Sequence, residues 1–133
     1  MAKTSGLGWT TLSVDNSSGT PVDIRNDVHS FNFALPRAVQ DVTGVDKSAF
    51  ERLLLIADFN GTLSTIFDAS LSHPVFATIS STSVNRTMSL GVAGVTLPNE
   101  VLLTDYQISR GDDGALTCSV PFSLADGAVP TWA

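Results

Sequence analysis

Val45-Asp46-Lys47-Ser48-Ala49-Phe50-Glu51-Arg52-Leu53-Leu54-Leu55-Ile56-Ala57-Asp58 is the stretch whose reading decides the fold. Its pattern predicts a helix. Ser48 followed three residues later by Glu51 spells a capping box, and Asp46 is a second possible N-cap. Phe50, Leu53, Leu54 and Ala57 stand at i, i+3, i+4 and i+7 and so share one helical face. A lone amphipathic helix cannot bury its own stripe, so these four residues are expected to pack on a sheet built from the flanking chain. On that reading, aspartate in place of Leu54 puts an unpaired charge into the core and destroys folding.

Outward from this stretch the chain is written in strand alternation. Trp9 to Val14, Pro21 to Arg25, Val28 to Leu35, Thr62 to Asp68, Val75 to Ile79, Val84 to Val92, Val101 to Ser109 and Leu116 to Leu124 read as strands. Asn26-Asp27 suggests a hairpin between the second and third. Pro36 to Gly44 reads as a loop, Ser70 to Pro74 as a break, and Gly111-Asp112-Asp113-Gly114 as a strong turn. Arg86 interrupts the apolar row Val84, Met88, Leu90, Val92. The last strand is the cleanest, with Leu116, Cys118, Val120, Phe122 and Leu124 on one face and Thr117, Ser119, Pro121 and Ser123 on the other. Pro121 cannot donate to a ladder, which predicts an edge or a bulge there. A long edge with one apolar face aggregates unless covered, and a partner subunit is one such cover.

The 133 residues are most simply one domain, 1–133. Of 13 acidic residues 11 are Asp, which favours turns and caps over helix interiors. A net charge of −6 with seven scattered Lys and Arg argues against tight phosphate binding. The single Cys118 excludes an internal disulfide, and its apolar row marks it as a core thiol. No window approaches the roughly 20 apolar residues of a membrane span. Met1 to Gly6 lacks a signal-peptide apolar region, so folding in a cytoplasm is expected. His29 and His73 have no metal spacing, and no nucleophile elbow, phosphate loop or dinucleotide glycine pattern occurs. The expectation is therefore no catalytic residue, no metal and no cofactor. Arg110-Gly111-Asp112 and the Asp112-Asp113 pair read as parts of a hairpin turn.

Asp23-Ile24-Arg25-Asn26-Asp27, Phe31-Asn32-Phe33 and Val42-Thr43-Gly44-Val45-Asp46-Lys47-Ser48 through Leu53-Leu54-Leu55 form a recurring phrase set. So do Leu97-Pro98-Asn99-Glu100-Val101-Leu102-Leu103-Thr104-Asp105-Tyr106, Ser119-Val120-Pro121 and Leu124-Ala125-Asp126-Gly127 up to Trp132. Together they resemble the major tail proteins of siphophages, the tail tube subunits. The likeness spans nearly the whole chain and is weakest from Ala69 to Thr82. It implies a mainly β fold with one α-helix, a β-sandwich or open barrel that associates as hexameric rings stacked into a tube. It further implies a structural virion protein, made in a bacterial cytoplasm and located in the tail. The tube would conduct DNA from capsid to host without specific binding. Partners would be further copies and other tail proteins such as tape measure, terminator and tail tip.

Within that frame, Asn85, Thr87, Ser89, Thr117, Ser119 and Ser123 are candidates to face a lumen. Pro36, Arg37 and Asp41 in the first loop, and Ser72 and His73 in the second, are candidate inter-subunit contacts. A head-tail completion or capsid-decoration subunit is the alternative, predicting a single ring or a trimer. A carbohydrate-binding sandwich would need exposed aromatics in a row, yet Trp9 and Trp132 lie at opposite chain ends. An enzyme would need a linked nucleophile, base and orienting group.

Overall fold

In the computed structural model, which describes residues 3–133, every strand pairing is antiparallel. The strands are β1 (Thr11–Asp15), β2 (Pro21–Asp23), β3 (Val28–Ala34), β4 (Arg37–Asp41), β5 (Arg52–Ala57), β6 (Asn60–Ile66), β7 (Arg86–Val92), β8 (Val95–Leu103), β9 (Gln107–Arg110) and β10 (Leu116–Leu124). A single short helix, α1 (Ser72–Phe76), lies between β6 and β7. The main sheet runs β2-β1-β7-β8-β10-β6-β3, with β9 also on β10. β4 and β5 form a separate two-stranded ladder.

The helix is not where periodicity puts it. Residues 52–57 are strand β5, and Phe50, Leu53 and Leu54 are exposed rather than packed on a sheet. Local helical preference loses to tertiary context. β3 and β6 hold the two chain legs together up to Ala34↔Asn60, and the ladder runs on through the Asp58 amide on the Pro36 carbonyl (2.9 Å) to Arg37↔Ala57. Propagating an existing ladder needs no new loop closure, whereas a helix at 45–58 would end it.

Three further expectations change. β2 and β3 are not a hairpin: β2 pairs with β1 and β3 with β6. The region read as a break and then a strand at Val75 to Ile79 is α1 and following turns. Val101 to Ser109 is split between the end of β8 and β9.

Pro121 sits inside the sheet, yet its missing N–H breaks no ladder bond. β10 pairs with β6 on one side, and on the other with β9 through residues 116–119 and β8 through 122–124. The Pro121 carbonyl accepts the Thr104 amide (3.2 Å), so its nitrogen points at the gap between β8 and β9 rather than at β6.

The sheet curls until its ends approach, since Trp9 beside β1 meets Phe31 on β3 edge-on at 4.9 Å. It closes over one apolar cluster of Leu12, Val14, Met88, Leu90, Leu97 and Val101 with Phe59, Leu63, Val120 and Phe122, capped by Val75 and Phe76 of α1. Gly61 allows the closest approach: an added Cβ would lie 2.7 Å from the Phe122 ring and 2.1 Å from the Asn32 carbonyl oxygen. Cys118 is buried, as its row implies. Arg86 is buried on the same side, donating to the Val75 carbonyl, to Thr78 Oγ1 (2.8 Å) and to the Asp15 carbonyl (3.4 Å). The interruption in the apolar row is thus the clamp joining the helical segment to β7 and β1.

Ser72 is buried with its amide donated to Asp27 Oδ2 (3.1 Å), and His73 is half-buried with Nδ1 3.1 Å from Tyr106 Oη. Neither is an exposed loop contact, because α1 turns both into the body of the fold. Burial raises the Asp27 carboxyl; the Ser72 amide opposes this and Asp68 reinforces it. Asp68, held low by the Ser70 amide and hydroxyl, is the ionised neighbour.

Two predictions follow from these sites. A raised folded carboxyl gives stability that is fully present below the unfolded carboxyl's range and is lost as pH rises through the folded value. Asp27→Asn keeps an acceptor for Ser72 and cannot ionise. Its stability relative to the parent is expected to rise as pH climbs above the ordinary carboxyl value of 3.8 in urea melts; a pH-independent difference contradicts the assignment. At the β7–β8 turn, Ala93 has φ 55° beside Gly94 at 81°. Ala93→Asn, suited to that left-handed position, is expected to add about 0.5–1 kcal/mol in the same melts.

Candidate assembly interfaces

The register that joins β3 to β6 also builds an arm. Ala34↔Asn60, Pro36 with Asp58, and Arg37↔Ala57 keep one continuous pairing from the main sheet into the β4–β5 ladder. Between Arg37 and Val39 the register shifts, so Leu55 and Ile56 oppose Ala38 in a bulge. Arg37 Nε fixes it by donating to the Leu55 carbonyl (2.7 Å). Beyond Asp41 the tip is closed by side chains. Asp41 Oδ1 accepts the Thr43 amide (2.9 Å) and hydroxyl (2.6 Å), and Thr43 Oγ1 accepts the Glu51 amide (2.8 Å). Those Thr43 bonds hold the Asp41 carboxyl below its usual range. At about 3.4 Å per residue the arm extends roughly 20–25 Å past the main sheet.

Its surface is unlike that of a solvated hairpin. Among the described residues, eight of the seventeen exposed large apolar side chains fall here: Val39, Val42, Val45, Phe50 and Leu53 through Ile56, with Leu54 64% and Ile56 80% exposed. Val39 and Leu54 are register partners, as are Gln40 and Leu53, so apolar groups occupy both faces of the ladder. A strand apolar on both faces is normally covered on both, and a patch this concentrated marks an interaction surface. Pro36, Arg37 and Asp41 all lie on this arm.

The second surface is a four-stranded wing, β9-β10-β6-β3. β9 and β3 each pair with a single neighbour among the described residues, so the wing has two free edges. Across it runs an aligned row: Ser30 opposite Ser64, Ser64 opposite Ser119, and Ser119 opposite Gln107. Flanking rows are Asn32, Thr62 and Pro121 on one side and Ile66, Thr117 and Ser109 on the other. Among the seven Lys and Arg, only Arg110 is on these strands, and pairing with Leu116 puts it on the opposite, core-side face. The outward face is therefore uncharged apart from any charge on His29 at the β3 bulge.

The six candidate lumen residues do not form one surface. Thr117, Ser119 and Ser123 belong to this wing on β10. Thr87 and Ser89 lie on β7, where Thr87 Oγ1 donates to Glu100, and Asn85 is exposed just before that strand. β8 separates the two groups. Ser30, Asn32, Thr62, Ser64 and Gln107 complete the wing, beyond the residues the sequence pattern singles out. Alternation placed each on a polar face, yet only the register shows which strands are neighbours.

No protein-family model and no curated protein matches the sequence. Solved structures share the fold. A chain of the virion of a native gene transfer agent particle superimposes with TM-score 0.73 at 10% identity, covering 92% of this chain and 95% of that one. A chain from the tail of an empty gene transfer agent particle of C6 symmetry gives TM-score 0.68 at 12% identity over 92% and 95%. One from the 6-fold symmetrised baseplate of the anti-feeding prophage gives 0.61 at 15% over 98% and 97%.

Because the arm's apolar residues are outside the core, Leu54→Asp is expected to leave the subunit folded, within about 0.5 kcal/mol of the parent in chemical denaturation. This reverses the outcome the helical reading requires. A loss of several kcal/mol would return Leu54 to the core.

Proposed function

We propose that this chain is a structural subunit of a phage-type tail tube: copies close into hexameric rings, and rings stack into a tube that conducts DNA. The observation that carries the proposal is the two-faced apolar arm running on from the hairpin of a wing with two free edges. Such a subunit has unsatisfied main-chain groups along β3 and β9 and uncovered side chains on the arm. Further copies of the same chain supply both. In a ring, the β3 edge of one copy pairs with the β9 edge of the next, joining the wings into one barrel. The arm reaches from its own ring to the adjacent one, where its two faces are covered. The likeness in fold to chains of C6-symmetric tail particles supports the same reading.

The wing's outward face lines the bore, with Ser30, Ser64, Thr117, Ser119 and Ser123 toward the lumen. A cationic wall would bind DNA through its phosphates and hold it. Hydroxyl and amide groups give no such grip, so the polymer slides. The single domain of 1–133 forms the tube, the tape measure, terminator and tip proteins bound it in the virion, and the role is non-enzymatic.

Negative-stain microscopy of the concentrated protein, alone and with its tail partners, tests this. Stacked rings are expected for the parent, and isolated rings when residues 44–49 at the arm tip are removed. Compact monomers under every condition overturn the proposal; single rings from the parent itself favour a head-tail completion role. Ser119→Lys should still give tubes but slow DNA passage severalfold at low salt, an effect that weakens as salt is added.

A further inference from the structure

Hydrogen bonding fixes the phase of every strand in the wing. The Gly111 amide donates to the Ala115 carbonyl (2.8 Å), so Ser109 and Gln107 also turn their main-chain groups to β10. Those of Ile108 and Arg110 point the other way, to the free edge of β9. On β10 the Leu124 amide donates to the Phe59 carbonyl (2.8 Å), which turns Phe122 and Val120 to β6. Their partners Gly61 and Leu63 face β10, and Asn60, Thr62 and Ser64 are left to bond β3. Phe31 and Phe33 therefore present their main-chain groups at the free edge of β3. All four of these edge residues carry their side chains on the core-side face, Ile108 and Arg110 through their partners Cys118 and Leu116. Chain direction agrees as well. Each step across the wing reverses it, and four strands is an even number, so β9 of a following copy meets β3 antiparallel.

We propose that the junction between copies has one register: Phe31 opposite Arg110 of the partner subunit, Phe33 opposite the partner's Ile108, and Asn32 opposite the partner's Ser109 between them. This deepens the tube reading and rests on its contact between β3 and β9. A one-residue slip reverses the faces, so the nearest rivals are slips of two. One sets Phe33 against the partner's Tyr106 and His29 against the partner's Arg110. The Tyr106 amide is already held by Asp105 Oδ1 (2.8 Å), its hydroxyl stands 3.1 Å from His73 Nδ1, and His29 is the bulged residue of β3. The other sets Phe33 against the partner's Arg110 and leaves the partner's Ile108 opposite Leu35, past the end of β3 and next to Pro36. Only the proposed register pairs all four edge residues inside regular strand. It also seats Arg110, the one Lys or Arg on these strands, against Phe31, whose ring meets Trp9 at 4.9 Å.

Barrel geometry selects the same register. Within one wing Phe31, Leu63, Val120 and Tyr106 lie level. At the junction Phe31 instead faces the partner's Arg110, four residues further along, so each set of four strands is staggered by four residues. At about 3.4 Å per residue and about 4.8 Å per strand, this tilts the strands about 35° from the barrel axis, a tilt at which barrels close. The two slips give about 20° and about 47°. None of these values depends on the number of copies.

The test is disulfide trapping with Asn32→Cys and Ser109→Cys in a Cys118→Ala background, read on non-reducing gels. Within one copy β6 and β10 separate the two positions by about 14 Å, too far for a disulfide, so any bridge joins copies. A ladder of covalent multimers is expected. Asn32→Cys with Gln107→Cys is expected to oxidise at least about tenfold more slowly. Faster bridging of the Gln107 pair overturns the register. So does an unbridged Ser109 pair in particles that microscopy shows as stacked rings; both results leave the tube reading standing. No rings from the parent under any condition overturns the tube reading and the register with it. Strand tilt in a helical reconstruction of parent tubes needs no variant: about 35° is expected, and about 20° or about 47° overturns the register.

Discussion

The ladder between β3 and β6 is the constraint on which the rest of the molecule depends. One register, fixed at Ala34↔Asn60 and continued at Arg37↔Ala57, does two things. It makes β3 the outer strand of a four-stranded wing, and it carries the chain past the sheet as a paired arm. Gly61 lets the ladder sit tightly, since any side chain there would collide with Phe122 and with the β3 backbone. Phe33, Phe59 and Phe122 then pack around the arm's root, with ring centroids 5.9 and 5.4 Å apart along the chain of contacts. The arm is thus held firmly where it leaves the body and weakly beyond it.

That division gives the subunit a closed part and an open part. The closed part buries its own core: its apolar cluster is covered, Arg86 finds carbonyl and hydroxyl acceptors, and Pro121 turns its missing donor toward a gap. The open part does not. Burying a fully exposed Leu or Ile side chain stabilises by roughly 1.5–3 kcal/mol, so covering the partly exposed Leu53 through Ile56 is worth about 3.5–7 kcal/mol before ordering costs.

Much of this was legible in the sequence. The alternation of Leu116 to Leu124 located β10 at its observed bounds, and the row Met88, Leu90 identified the core face of β7. Cys118 followed from its row. The 45–58 stretch departs from its sequence pattern for a physical reason: it satisfies helical spacing, capping and propensity together, and no local rule contains the β3–β6 register that overrides them. What should have raised doubt was Leu53-Leu54-Leu55-Ile56, an unbroken apolar run that fits a strand covered on both faces as well as a helix. The candidate lumen residues show where alternation stops being informative. Alternation told which face each side chain takes, but Thr87 and Thr117 look equivalent until the strand order separates them. Ser72 was misplaced because Asp27, 45 residues earlier in the chain, draws its amide inward.

The central claim is that the wing's edges are unfinished until other copies complete them. The alternation set by the Pro36–Asp58 bond turns the amides of Phe31 and Phe33 away from β6, toward the free edge of β3. Residue-resolved hydrogen exchange in the free subunit and in assembled material measures their fate directly. Fast exchange when free and at least about a hundredfold slowing on assembly is the predicted result, since a new ladder bond removes those protons from water. Equal protection of Phe31 and Phe33 in the two states would contradict the account.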